Sequence, residues 1–214
     1  MDGVCCTGKS SALRDLEKNI NIPVNFSDYM ERINKIPMFR EKHTNSSLQI
    51  LYTCYNHLEI ELYNHVISDR SPLSDLWYEY CFDIINKKKT IDDFKLFIAS
   101  DIAKEIFSKY TSLFVLWEQN DIICEDEVFS MMKKRNNGID LMDKKYLSVQ
   151  NEIFHALKQA NIENFHFFVK PKNIAIYSTM YYTILHKHIV KTFMGIEAVN
   201  QFYLMNGNCI KNYV

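Results

Sequence analysis

D-G-V-C-C-T-G-K-S-S, residues 2–11, is the stretch on which the fold turns. Within it, Gly3 to Ser10 follow the spacing G-x-x-x-x-G-K-S. The glycines let backbone N–H groups wrap around anionic oxygens, and a helix starting behind them aims its positive end at the same place. In a working loop Lys9 would neutralise charge on the β and γ phosphates of a nucleotide and Ser10 would ligate magnesium; the bland reading is a chance match to a short pattern. Segment 9–18 supplies the helix, because Ala12, Leu13 and Leu16 share one face. Only Met1 and Asp2 precede the loop, so the strand that should feed it is cut to almost nothing.

Outward from the loop, apolar periodicity gives an alternating chain. Residues 22–29 read as a short strand, 45–64 as a helix and 65–69 as a buried strand with a polar tip. Residues 74–86 read as a helix, 91–110 as one or two amphipathic helices, and 112–119 as the best buried strand. Helices follow over 124–138 and 142–160, a strand over 164–170, and a helical tail from 175, broken near Met205–Asn208. Strands alternating with helices predict an α/β domain: a parallel sheet of about five strands with helices on both faces, its first strand truncated. Ligands on such sheets bind at the carboxyl ends of the strands.

A second constellation falls at one of those ends. Asp69-Arg70-Ser71 closes the strand at 65–69. A carboxylate and a guanidinium there suit a site that handles a sugar hydroxyl and a phosphate, and the bland reading is a surface ion pair.

With both motifs in view, the chain resembles the thymidylate kinase and deoxynucleoside kinase superfamily of P-loop kinases. Asp2 to Ser11 fits that family's phosphate loop, which implies a nucleotide-binding set of Gly3, Thr7, Gly8, Lys9, Ser10 and Ser11. The family's E/D-R-S or D-R-Y motif, with a second serine three residues on, is matched by Asp69, Arg70, Ser71 and Ser74. Its acidic base, at the end of the second strand, corresponds to Asp28, where the family has Glu-Pro and this chain has Asp-Tyr. Gln49 stands where nucleoside kinases place a base-reading glutamine. His57 stands where thymidylate kinases have an arginine. Residues 131–154 resemble the mobile lid and the helix after it, with the lid itself at about 131–145; Lys133, Lys134 and Arg135 supply its positive charge. Those basic residues read equally as a solvated helix end offsetting the macrodipole.

The resemblance covers residues 2–170 and implies ATP and Mg2+ as cofactors, with Ser10 and Asp69 as metal ligands. The implied catalytic set is Lys9, Asp28, Arg70 and Arg135, with Gln49, Asp69 and Arg70 binding the substrate, a deoxynucleoside or its monophosphate. A homodimer is the family's habit. The alternative is a decayed copy of the fold that serves as an interaction protein. A small kinase of a shikimate-like metabolite is a further rival, whose acceptor loops would not be expected to carry D-R-S.

Composition narrows the field. The 214 residues are 47% hydrophobic and 24% charged, which suits a single domain over 1–214 with its own core. A formal net charge of −1 offers no basic field for nucleic acid. Six cysteines with no C-x-x-C spacing read as reduced thiols of a cytoplasmic protein. No apolar run reaches the roughly 18 residues that cross a bilayer. His186 and His188 are set aside as metal ligands, since i and i+2 face apart on a helix. For the short first strand three explanations stand: a start codon further upstream, a sheet completed by a partner's N-terminus, or decay of the fold.

Overall fold

Ser112–Trp117 (β4) forms the centre of the protein because all six residues are buried. In the computed structural model, which describes residues 1–20, 23–26, 67–71, 73–136 and 140–195, β4 pairs in parallel on both sides. Phe165–Lys170 (β5) runs along one side from Ser112↔Phe165 to Trp117↔Lys170. Asp2–Gly3 (β1) takes the other through Asp2↔Phe114 and Gly3↔Val115, and Val4 N–H extends the ladder to Val115 O at 2.9 Å. Val24–Phe26 (β2) and Ile67–Asp69 (β3) form a separate parallel pair in the register Val24↔Ile67 to Phe26↔Asp69.

The expected sheet is thus present as five parallel strands, but its ladder divides into three and two. The physical reason is the length of β1. Two residues give one ladder edge to β4 and leave no run of N–H and C=O groups for β3. Two other contacts span the gap. The Met1 ammonium donates to Ser68 O at 2.7 Å, and the Asp2 carboxylate reaches past the end of β3.

Seven helices complete the described fold: Lys9–Ile20 (α1), Ser74–Ile85 (α2), Ile91–Ala99 (α3), Asp101–Phe107 (α4), Ile122–Arg135 (α5), Lys144–Gln159 (α6) and Thr179–Met194 (α7). Their ends are written in the sequence. Thr90 and Asp93 form a reciprocal capping box at α3, and Ser100, Asp121, Asp143 and Ser178 cap α4 to α7 with their side-chain oxygens. Ser100 also explains why 91–110 is two helices. Its extended backbone (ψ 148°) ends α3 while its hydroxyl accepts from Ala103 N–H to start α4. Asn136 ends α5 in the left-handed region, as expected of a helix stop.

Helices cover both faces. Phe114 on β4 meets Trp77 of α2, Phe154 of α6, and Phe165 and Phe167 of β5. Strand residues two apart share a face, so Phe168 points the other way, onto Tyr181 and His188 of α7. Trp77 packs within a ring of Phe94, Phe107 and Phe114 and is fully buried. Among the described residues no helix is long and apolar enough to cross a membrane.

Candidate active site

Residues 3–8 turn between β1 and α1, and three of them hold backbone conformations that most residues avoid: Gly3 (φ 121°), Cys6 (φ 55°) and Gly8 (φ 78°). At Gly3 glycine is obligatory, since a Cβ there would lie 2.2 Å from Val115 O and 2.4 Å from Val115 N. The loop is buried throughout and held from several directions. Thr7 Oγ1 donates to Val4 O at 2.8 Å. Cys5 N–H donates to Gln150 Oε1 of α6 at 3.0 Å. Tyr181 OH of α7 donates to Thr7 O at 2.6 Å, and Tyr177 OH donates to Cys6 O at 3.0 Å.

The Lys9 ammonium lies inside this turn, donating to Val4 O at 2.6 Å, Gly3 O at 3.2 Å and Thr7 Oγ1 at 3.3 Å. Burial pulls its pKa down to about 8, the Arg70 charge adds to that, and Asp69, Cys5 and Asp2 partly oppose it. Ser10 and Ser11 stand half-buried in the first turn of α1, and Ser11 is hydrogen-bonded to Tyr182 of α7.

The Asp69-Arg70-Ser71 segment sits against the same loop. Ser71 N–H donates to Asp2 Oδ2 at 3.0 Å and Ser74 Oγ donates to Asp2 Oδ1 at 2.7 Å. Arg70 Nη1 lies 3.9 Å from Asp2 Oδ1, and about a third of the Arg70 side chain is exposed. The guanidinium also donates to Tyr78 OH and stacks over that ring at 5.0 Å, and Tyr78 OH donates on to Gly3 O at 3.3 Å. Burial raises the Tyr78 pKa, so the phenol keeps its proton as donor. Asp2 is therefore the joint between loop and D-R-S segment, fully buried and used through both oxygens. Asp69 is buried, and its Oδ1 has no hydrogen-bond partner among the described residues.

At the end of α5, Arg135 is ion-paired with Asp140, and Lys133 lies over the Phe129 ring at 4.3 Å. Asp28 and Gln49 lie outside the described residues, as do 137–139 in the middle of the lid segment. An open groove runs along the carboxyl ends of β4 and β5, between 119–123 and 170–175, with Glu127 and Lys170 3.8 Å apart in its wall.

Sequence reasoning reached the loop, Arg70 and Ser74, but assigned no role to Asp2, Tyr78, Gln150, Tyr177 or Tyr181. For Asp2, Tyr78 and Gln150 a signal existed. An acid beside a glycine-rich turn, a tyrosine one helical turn beyond Ser74, and a glutamine in an otherwise apolar helix stripe are polar groups that burial obliges to find partners.

No known protein-family profile matches the chain. By sequence it is 28% identical over 157 residues to an uncharacterized 33.9 kDa protein in the PE 3′ region of Lymantria dispar multicapsid nuclear polyhedrosis virus. That match covers 72% of this chain and 51% of the viral protein, so it spans about half the relative's length. By structure the chain is similar to deoxyadenosine kinase from M. mycoides with bound dATP, with a TM-score of 0.60 and 15% identity over 88% of this chain and 96% of that one. The same kinase with products dCMP and a flexible dCDP gives a TM-score of 0.58 and 14% identity, over 87% and 95% of the two chains. At this identity the likeness shows a shared fold, the α/β fold of a deoxynucleoside kinase.

Proposed function

We propose that the protein transfers the γ-phosphoryl group of ATP to a deoxynucleoside or a deoxynucleoside monophosphate. The observation that carries this reading is the Asp2 joint, which binds the phosphate loop and the D-R-S segment into one buried network at the carboxyl edge of the sheet. A fold shared with kinases that hold dATP, dCMP and dCDP supports the substrate class.

In this reading the backbone N–H groups of residues 4–10 and the start of α1 hold the β and γ phosphates. Lys9 exchanges its bonds to Gly3 O and Val4 O for phosphate oxygens, which restores the charge that burial disfavours. The Ser10 hydroxyl and the Asp69 carboxylate, whose Oδ1 has no hydrogen-bond partner among the described residues, would hold a magnesium ion. Magnesium takes one or two protein ligands plus phosphates and needs no dedicated protein cage. When bound, it neutralises charge on the phosphates. Arg70 orients the reacting phosphates from the Tyr78 ring. Asp28 accepts the proton of a 5′-hydroxyl acceptor, and only positions the acceptor if that is already a phosphate. Arg135, released from Asp140, brings the lid's charge to the transferred group. The groove at 119–123 and 170–175 opens on the same edge and suits the nucleotide's base. The acceptor oxygen bonds to γ-phosphorus as the β–γ bridging bond breaks, and ADP leaves.

The test is a coupled assay of ADP release with each of the four deoxynucleosides and their four monophosphates, beside Lys9→Ala. Turnover with one or more acceptors, lost by about a hundredfold or more in Lys9→Ala, is the expected result. Turnover with none would sink the kinase reading and leave the non-enzymatic one. Equal turnover in the variant would remove Lys9 from its role.

A further inference from the structure

Two thiols stand side by side in the phosphate loop, and the reaction above uses neither. The Cys5 and Cys6 side chains are hydrogen-bonded to each other. Cys5 Sγ lies 3.6 Å from Met132 Sδ of α5, and its N–H is held by Gln150. Cys6 stands in the left-handed region, with its carbonyl held by Tyr177. Of the described cysteines Cys6 is the most accessible, at 7%, against 1% for Cys5 and none for Cys81 and Cys124. Cys54 and Cys209 lie outside the described residues.

We propose that Cys5 and Cys6 are an oxidative modification site: hydrogen peroxide oxidises Cys6, Cys5 resolves it, and the bridged loop loses its grip on nucleotide phosphate. The Cys6 sulfur attacks the peroxide, the O–O bond breaks, and the departing hydroxide takes up a proton as water, leaving a sulfenic acid. The Cys5 sulfur then attacks the Cys6 sulfur, the S–O bond breaks, and the hydroxyl leaves with the Cys5 proton as a second water. The two sulfurs together lose two electrons and the peroxide gains them.

The surroundings favour that order. The hydrogen bond from Cys5 lowers the Cys6 pKa against the cost of burial, and the charges of Arg135 and Lys9 help while Asp140 opposes. Thiolate character follows Cys6, which is also the less deeply buried of the two thiols, and both properties govern which sulfur is oxidised first. The consequence follows from geometry. Neighbouring Cα atoms across a trans peptide are about 3.8 Å apart, whereas disulfides ordinarily span about 4.4–6.8 Å. A bridge there strains the peptide that carries the loop's N–H groups, and strained bridges are readily reduced. The loss of nucleotide rests on the kinase reading. The thiol chemistry does not.

The experiment uses the full reduced chain, treated with hydrogen peroxide with and without Mg·ATP and digested with trypsin. The fragment Met1–Lys9 carries both thiols and no other cysteine. The expected result is loss of two hydrogens from this fragment, reversal by dithiothreitol, slowing by Mg·ATP, and a fall in ATP affinity of about tenfold or more. Cys5→Ser should stop at a sulfenic acid that dimedone traps, and Cys6→Ser should leave the fragment unchanged. Should a variant misfold, the wild-type fragment alone decides the site. An unchanged fragment while Cys54 or Cys209 oxidises would overturn the proposal, as would a bridged protein that binds ATP as tightly as the reduced one. Reduced protein that binds no ATP would overturn the kinase reading instead, and the fragment's mass would still decide the thiol site.

Discussion

Lys9 is the residue in which sequence, burial and chemistry meet most directly. Its ordinary pKa is 10.5, and in the fold it is about 8 because burial and Arg70 disfavour the charge. Between those values the unfolded chain holds a proton that the folded chain has released. Stability therefore rises with pH across that window, by on the order of 3 kcal/mol from this group. Tyr78 and Cys81, whose burial raises their pKa, act with the opposite sign at high pH. The quantity to measure is the urea-unfolding free energy of wild type minus that of Lys9→Met, which should climb from pH 8 to 10.5. A flat difference would show that Lys9 is not the buried cation described. Gly3 gives a sharper case. Its missing Cβ faces backbone atoms of the central strand that cannot move aside. Gly3→Ala should cost about 3 kcal/mol or more, read from the urea midpoint, and a variant as stable as wild type would contradict the close approach of β1 and β4.

At the scale of elements, β1 shows how side chains can stand in for a ladder. Asp2 accepts from Ser71 N–H and Ser74 Oγ, where a longer strand would have paired β3 directly. Asp2→Asn keeps the shape and can still accept from Ser71 N–H, but its NH2 then faces the Ser74 hydroxyl and the Arg70 guanidinium where a carboxylate oxygen stood, and the change should cost about 1–3 kcal/mol. Ser74→Ala removes one of the same bonds, so the double variant should fall short of additivity by at least about 0.5 kcal/mol in denaturant unfolding. Strict additivity would mean that the network is not one unit. On α7, Tyr181→Phe leaves Thr7 O without its donor and should cost about 1 kcal/mol with the core intact. The elements themselves were largely legible. The 3.6-residue stripe of α6 and the unbroken apolar run of β4 are local signals, and they fall where expected. The clamps on the loop were not legible, because Gln150 and Tyr181 stand 145 and 174 positions from their loop partners. No local pattern marks which buried polar group meets which.

For the whole molecule, the parallel order of strands followed from the alternation of elements, but the division of the ladder did not. The shortness of β1 was legible, since only Met1 and Asp2 precede the loop, but that the Met1 ammonium and the Asp2 carboxylate would bridge to β3 in place of a ladder shows only in the assembled sheet. The division has a consequence for dynamics. β4 and β5 share six paired positions, and both of the chain's tryptophans are buried around them. β2 and β3 share three, with β2 only half-buried, and reach the main sheet through the Met1 ammonium and Asp2. Regions held by fewer buried contacts open more cheaply than the global core. Amide hydrogen exchange should therefore be at least about tenfold faster in 24–26 and 67–69 than in 113–116 under native conditions. Because the proposed ligands would contact β3 through Asp69 and Arg70, Mg·ATP with an accepted deoxynucleoside should slow exchange at 67–71 more than at 113–116. Equal protection of the two regions in the free protein would show that the five strands behave as one sheet, and ligand protection confined to the phosphate loop would separate that loop from the D-R-S segment as parts of one site.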